Sequence, residues 1–281
     1  VAASGSESDT AGTITIASPI DVSSGNAGAN LAFNADKDII VNANISSSGS
    51  ADKNLAFVAK TGVTINSGVT INWNPGLSAA VLIQTTESGG LRGGGNIVNI
   101  VGTNIAVSQV GDSEYSGAIT GPPADPSEDG GNLAKSGAGT LTLSGQNLFD
   151  GATAISEGVL KLKSTTLNSS SVSISSGAKF EIDLASGNNQ TFAGAVSGAG
   201  VLNKLGAGQL TLSNSSLAYT GLTDIDAGTL TVSGNLSDTT VVDVASGSTY
   251  QVSNADTIGG LQGAGTVDLN GNGLTVNIAN S

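Results

Sequence analysis

The chain has 281 residues, with 41 glycines, 22 acidic and 9 basic side chains, and a formal net charge of −13. It holds no Cys, Met or His, which excludes disulfides and thiolate metal sites and removes the commonest zinc ligand and neutral-pH base; so few basic groups also argue against a nucleic-acid partner. Charged residues are 11% and hydrophobic ones 38%, the opposite of the high-charge, low-hydrophobicity signature of disorder, and the Val/Ile/Leu/Ala content with abundant Ser, Thr, Asn and Gly predicts short strands broken by many turns.

Read in chain order, the opening Val1-Ala-Ala carries no signal-peptide pattern and reads as a chain already processed or cut from something longer. Asn30-Leu-Ala-Phe33 recurs as Asn54-Leu-Ala-Phe57, an offset of 24. The β-prone runs Asp38–Ile45 and Gly62–Ile71 follow the two copies. A repeat of this length suits one coil of three short strands. Phe33 and Phe57 are then expected to stack in a core. Trp73-Asn74-Pro75 is the odd feature. The indole is expected to pack over a coil edge, the alternative being an exposed platform for sugar. No apolar run reaches the length of a membrane span.

Composition changes near residue 110. Residues 121–130 hold three of the five prolines and three acids, as in a protruding loop. Beyond them a longer repeat sets in. Lys135-Ser-Gly-Ala-Gly-Thr-Leu-Thr-Leu-Ser144 matches Lys204-Leu-Gly-Ala-Gly-Gln-Leu-Thr-Leu-Ser213, and Ser176–Ile182 matches Ser246–Val252, at offsets of 69 and 70. A period of about 70 is expected to be three coils, and Phe180/Tyr250 and Phe149/Tyr219 are expected to be stacked core pairs like Phe33/Phe57. In Thr140-Leu-Thr-Leu-Ser144 the leucines point inward and the threonines outward. The Gly-Ala-Gly and Ser-Gly pairs mark sharp turns, where glycine supplies φ > 0. The expected fold is all-β, a right-handed single-stranded parallel β-helix (β-solenoid) of about 22–24 residues per coil. It divides into residues 1–110 and 111–281 of one continuous solenoid. A sandwich of antiparallel hairpins would need no coil-length repeat.

Gly131–Gly145, then Phe149-Asp-Gly-Ala-Thr-Ala-Ile155 and Glu157-Gly-Val-Leu160, resemble the autotransporter-associated β-strand repeat. That repeat reads Lys-x-Gly-x-Gly-Thr-Leu-x-Leu, then aromatic-x-Gly-x-Thr-x-Ile, then Gly-x-Leu. Leu202–Val232 fits as well, and a third copy from Ile258 keeps Gly263-Ala-Gly265 but lacks the Lys. Residues 12–110 are similar to the coils of filamentous-haemagglutinin-type exoproteins. The resemblance implies type V secretion, a right-handed β-helix at the bacterial surface, and roles in adhesion, aggregation or biofilm.

The function expected on these grounds is a rigid extracellular stalk of a secreted adhesin, without catalysis. Its partners would be host or sister-cell surfaces, glycans or matrix polysaccharide, or further copies of itself. A polysaccharide lyase or glycosidase is the alternative, since glycosidases need two carboxylates about 5–9 Å apart. Asp36/Asp38, Asp112/Glu114, Glu128/Asp129 and Asp224/Asp226 are the pairs available, and Arg92 is the arginine a lyase would use. Most of the acids sit beside Gly, Ser or Asn in expected turns, so no catalytic, cofactor-binding or metal residue is assigned. A structural calcium at Asp125/Glu128/Asp129 is the one metal considered. An ice-binding solenoid would need Thr-x-Thr on every coil, whereas Thr13/Thr15, Thr140/Thr142 and Thr229/Thr231 occur only on some.

Overall fold

The computed structural model describes residues 12–22, 30–48, 53–74, 79–98, 104–121, 131–163, 168–214 and 216–277. All named elements among them are strands, and the strands pair in parallel. The chain is a parallel β-solenoid. Two compact units divide it, residues 1–151 and 152–281.

In the N-terminal unit the first sheet is laid down by Ile14–Ile16, Asp38–Val41, Gly62–Ile65, Leu91–Gly93, Ser113–Tyr115 and Thr140–Leu143. A second sheet holds Ile20–Asp21, Ile45–Ser48, Thr70–Asn74 and Asn96–Val98. A third holds Leu31–Ala35, Leu55–Ala59, Ala80–Thr85, Asn104–Ser108 and Asn132–Ser136. Consecutive strands fall on different sheets, so each strand bonds the strand one coil later. Leu31 pairs with Leu55, the register that the recurring Asn-Leu-Ala-Phe segment predicts. Phe33 and Phe57 stack with centroids 5.5 Å apart and planes 10° off parallel.

Alternation converts register into a core. Ile20, Ile45, Ile71 and Ile97 follow one another inward on the second sheet. On the first sheet Ile39, Val63 and Leu91 are fully buried, but the next rung is Ser113, followed by Leu141. Gln109 fills this gap. Its Oε1 accepts from Ser113 Oγ at 3.0 Å, and its Nε2 donates to the carbonyls of Gly111 and Thr140 at 2.9 and 2.8 Å. A buried amide is tolerable because both ends are bonded.

Asparagines run up the corners. Asn30 and Asn54 each accept, through Oδ1, the backbone N–H of the residue a coil later, Asn54 and Ala80, both at 2.9 Å. Asn44 does the same for Thr70 and Asn96 for Ala118. These bonds explain why a chain poor in charge is rich in Asn.

The C-terminal unit has its own three faces. One sheet holds Val159–Leu162, Lys179–Asp183, Val201–Leu205, Thr223–Ile225, Val241–Val244 and Gly260–Gly263. A second holds Asn189–Phe192, Gln209–Leu212, Thr229–Val232, Thr249–Val252 and Thr266–Asp268. A third holds Ala152–Ile155, Ser171–Ile174, Ala195–Gly198, Ser216–Tyr219 and Asn235–Leu236, and Asp256–Ile258 pairs with Leu274–Val276.

Coils are shorter here, and this corrects the reading of the longer repeat. From Phe180 the ladder climbs to Leu202, Thr223 and Val242, so three coils bring the chain only as far as Val242. The copy of Phe180 is Tyr250, which overshoots by one strand and lies on the second sheet, between Leu230 and Val267. Phe180 lies on the first sheet, between Leu160 and Leu202. Both rings are core, but they are not stacked on each other. Phe149 and Tyr219 are likewise buried.

The two glycines of the Gly-Ala-Gly turn serve different ends. Gly137 and Gly206 have φ of 75° and 71°, the left-handed region that side chains resist. Gly139 and Gly208 are bare for lack of room, since a Cβ on either would stand 2.2 Å from a carbonyl oxygen of another coil.

Candidate functional site

The acids singled out in the sequence are dispersed. Asp36 is exposed, 3.6 Å from Lys60 Nζ, and Asp38 accepts from Thr61 Oγ1 at 2.7 Å. Asp112 accepts the backbone N–H of Thr140 at 2.7 Å, and Glu114 is exposed. Arg92 is exposed on the outer side of its strand, in register with Thr64. Asp125, Glu128 and Asp129 lie outside the described residues. Among the described residues no group of three or more acidic side chains is disposed to hold a metal ion.

Asp224 and Asp226 are the exception to this dispersal. They flank buried Ile225, and Asp224 is in register with Asp243 one coil later. Partial burial, then Asp226 and Asp243, raise the Asp224 pKa, with Lys179 opposing. Asp243 escaped the sequence reading because a whole coil separates it from Asp224 along the chain, at a spacing that only the shortened coil creates.

The repeat's lysine belongs to the core. Lys135 and Lys204 sit at inward positions and are 0% exposed. Lys135 Nζ donates to the carbonyls of Ser136 and Gly137 at 2.9 and 2.7 Å. Lys204 Nζ donates to those of Leu205 and Gly206 at 2.7 Å each, and to Ala227 at 3.1 Å in the next coil. The ammonium thus bonds the turn that its own strand runs into. Desolvation lowers the Lys204 pKa to about 8, with Asp183 opposing. A recurring lysine just before Gly-x-Gly, in a chain so poor in charge, was the available signal. Lys53 is a third buried lysine, donating to the Val22 carbonyl at 2.7 Å.

Trp73 is fully buried, and its Nε1–H donates to the Lys53 carbonyl at 2.9 Å. The indole therefore serves the core and offers no face to a sugar.

Threonines align better than the sequence suggests. Thr229, Thr249 and Thr266 form one outward column, and Thr191, Thr211 and Thr231 form another. The second column is capped at Thr231 by flanking amides. Gln209 Nε2 donates to Thr231 Oγ1 at 2.8 Å, Thr231 donates to Gln251 Oε1 at 2.9 Å, and Gln251 Nε2 donates to Asp268 at 3.0 Å. Thr231 is left only 6% exposed. The third sheets present mostly small side chains instead, with Leu82 the large one. Ala154, Ser173, Ser197 and Ala218 align in the C-terminal unit, and Ala32, Ala56, Leu82, Ala106 and Ala134 in the N-terminal one. These strips carry no charge.

Parallel coils closed by repeated glycine turns and buried lysines define a β-solenoid repeat protein. Comparison with known proteins refines the class. The passenger-associated-transport-repeat family matches residues 133–162 and 202–232, the two segments that carry Lys135 and Lys204. The chain is also 32% identical over 168 residues to the adhesin BmaC autotransporter of Brucella suis biovar 1 (strain 1330). That match covers 52% of this chain and 5% of the relative's length. No solved structure matches. In these matched segments the chain is similar to the repeats of autotransporter passengers.

Proposed function

We propose that the chain is a rigid, non-catalytic stalk segment of a secreted bacterial surface adhesin, delivered by type V secretion and acting outside the cell. The observation that carries this reading is the division of labour across each strand. Inward positions are mostly apolar ladders, interrupted by Ser113 and the buried lysines, and the aligned outward columns of the third sheets are uncharged and, Leu82 apart, small. Absence of cysteine suits a polypeptide that must cross a pore unfolded. The partners in this reading are host or sister-cell surfaces, glycans or matrix polysaccharide, and further copies of the chain. The repeats, and the likeness to part of an adhesin, support it.

The test is display of the chain on a non-adherent bacterial strain, with attachment to host cells and settling of the culture measured. A severalfold rise over cells displaying an unrelated domain is expected. Unchanged attachment and settling would contradict the reading. So would release of sugar fragments from polysaccharide by the purified chain, if that activity disappeared on Asp224→Asn.

A further inference from the structure

One outward column of the C-terminal unit is left electrically incomplete. Glu181, Asn203, Asp224, Asp243 and Gln262 succeed one another in register on its first sheet. Neighbouring strands lie about 4.8 Å apart, so Asp224 and Asp243 are like charges placed directly opposite, which is unfavourable. Lysines answer the lower end of the column only. Lys161 lies 3.9 Å from Glu181 and 3.2 Å from Asp183, and Lys179 lies 3.8 Å from Glu181. Among the described residues no basic group comes within ion-pair distance of Asp224, Asp226 or Asp243. Asp226 accepts from Asn203 Nδ2 at 3.1 Å and Asp243 from Gln262 Nε2 at 2.8 Å. Among the described residues no hydrogen bond reaches the Asp224 carboxylate.

Asn203 supplies a second, independent observation. It is 3% exposed, and its Oδ1 is buried without a partner. Buried polar atoms are bonded in nearly all cases, and each exception calls for an explanation. Here an unpartnered amide oxygen, on Asn203, and a carboxylate with neither a hydrogen bond nor an ion pair among the described residues, Asp224, occupy adjacent rungs of one column. The atoms left unpaired are all oxygens, which are the ligands a hard cation takes. Calcium accepts carboxylate, amide carbonyl and water together in irregular geometry, whereas magnesium demands a near-ideal octahedron.

We propose that Asn203, Asp224 and Asp243, with Asp226 beside them, form a calcium-binding site on the outer face of this sheet. Three converging carboxylates are not required. Two carboxylates and the amide oxygen anchor the ion, and water completes its shell. A site with so few protein ligands belongs in the range of about 10⁻⁴–10⁻³ M typical of extracellular calcium modules. The ion would convert the repulsion between Asp224 and Asp243 into a bridge between two coils.

Isothermal titration of the whole chain with calcium chloride, after treatment with a chelator, tests this. One saturable site is expected, with magnesium at least tenfold weaker. Asp224→Asn, Asp243→Asn and Asn203→Ala should each weaken calcium at least tenfold. Asp36→Asn, in the other unit, should leave it unchanged. Calcium should also raise the melting temperature of the native chain and not that of Asp224→Asn, since a ligand stabilises only the state it binds. Three results would overturn the site: no saturable heat up to 10 mM calcium (roughly tenfold above the weakest affinity expected), unchanged affinity in all three variants, or equal loss on Asp36→Asn.

Discussion

Trp73→Ala is expected to destabilise the N-terminal unit by about 3–5 kcal/mol, the usual cost of removing a large aromatic from a packed core. Trp73 is fully buried, so its whole contact surface is lost, and the Lys53 carbonyl loses its indole donor. That carbonyl belongs to a lysine that is itself buried and anchored on Val22, so the loss reaches two segments at once. Urea unfolding followed by circular dichroism measures the effect. Trp73→Phe should recover most of the packing but not the hydrogen bond, and so fall between the two. The native chain has a single Trp, so its emission should be blue-shifted and poorly quenched by acrylamide. A sugar-stacking role would instead leave stability almost unchanged in Trp73→Ala.

Lys204→Met is expected to cost the C-terminal unit about 2–3 kcal/mol. Methionine keeps the apolar stem and so isolates the ammonium. Hydrogen bonds to a charged donor contribute about 1.5–3 kcal/mol each; three are lost, but the desolvation of a buried charge is recovered at the same time. The net cost is therefore much less than the sum of the bonds. The pH dependence carries a sign that separates this account from simple packing. The folded pKa is depressed to about 8 from an ordinary 10.5. Above about 8 the folded state sheds this proton while the unfolded chain still holds it, so the unfolded state binds more protons and stability rises with pH. That contribution is complete above 10.5 and is lost as pH falls through 8. Stability curves of the native chain and of Lys204→Met at pH 7, 8, 9 and 10 should show the rise only in the former.

The coil and its contents were legible where one strand's neighbour is a near copy of itself. Asn30–Phe33 and Asn54–Phe57 share residues, spacing and environment, so stacking of Phe33 on Phe57 could be read directly. The Ser-Gly and Gly-Ala-Gly turns were legible because only glycine suits their backbone. The longer-range copies misled, because sequence likeness reports ancestry of a segment and not its height on the ladder. In the C-terminal unit the coil is short enough that three turns from Phe180 end at Val242, and the copy at Tyr250 lands on the next face. The Asn203–Asp224–Asp243 column was hidden for the same reason. Its members are each one coil apart with unlike neighbours, and no repeat in the sequence links them. Gln109 was equally invisible, since nothing local says that Ser113, in the strand that follows, leaves a gap in the core.

Cross-linking gives the most direct test of the parallel ladder, and the chain suits it because it contains no cysteine. Ser171 pairs with Ala195 and Ser173 with Ser197, all on the outer side of the third sheet of the C-terminal unit. In-register neighbours about 4.8 Å apart fall within the Cα separations a disulfide accepts. Oxidation should therefore close Ser171→Cys with Ala195→Cys, and Ser173→Cys with Ser197→Cys. It should leave open Ser173→Cys with Ala218→Cys, whose partner lies two coils away. Closure of the crossed pairs instead, Ser171 with Ser197 and Ser173 with Ala195, would mean antiparallel strands and would contradict the solenoid.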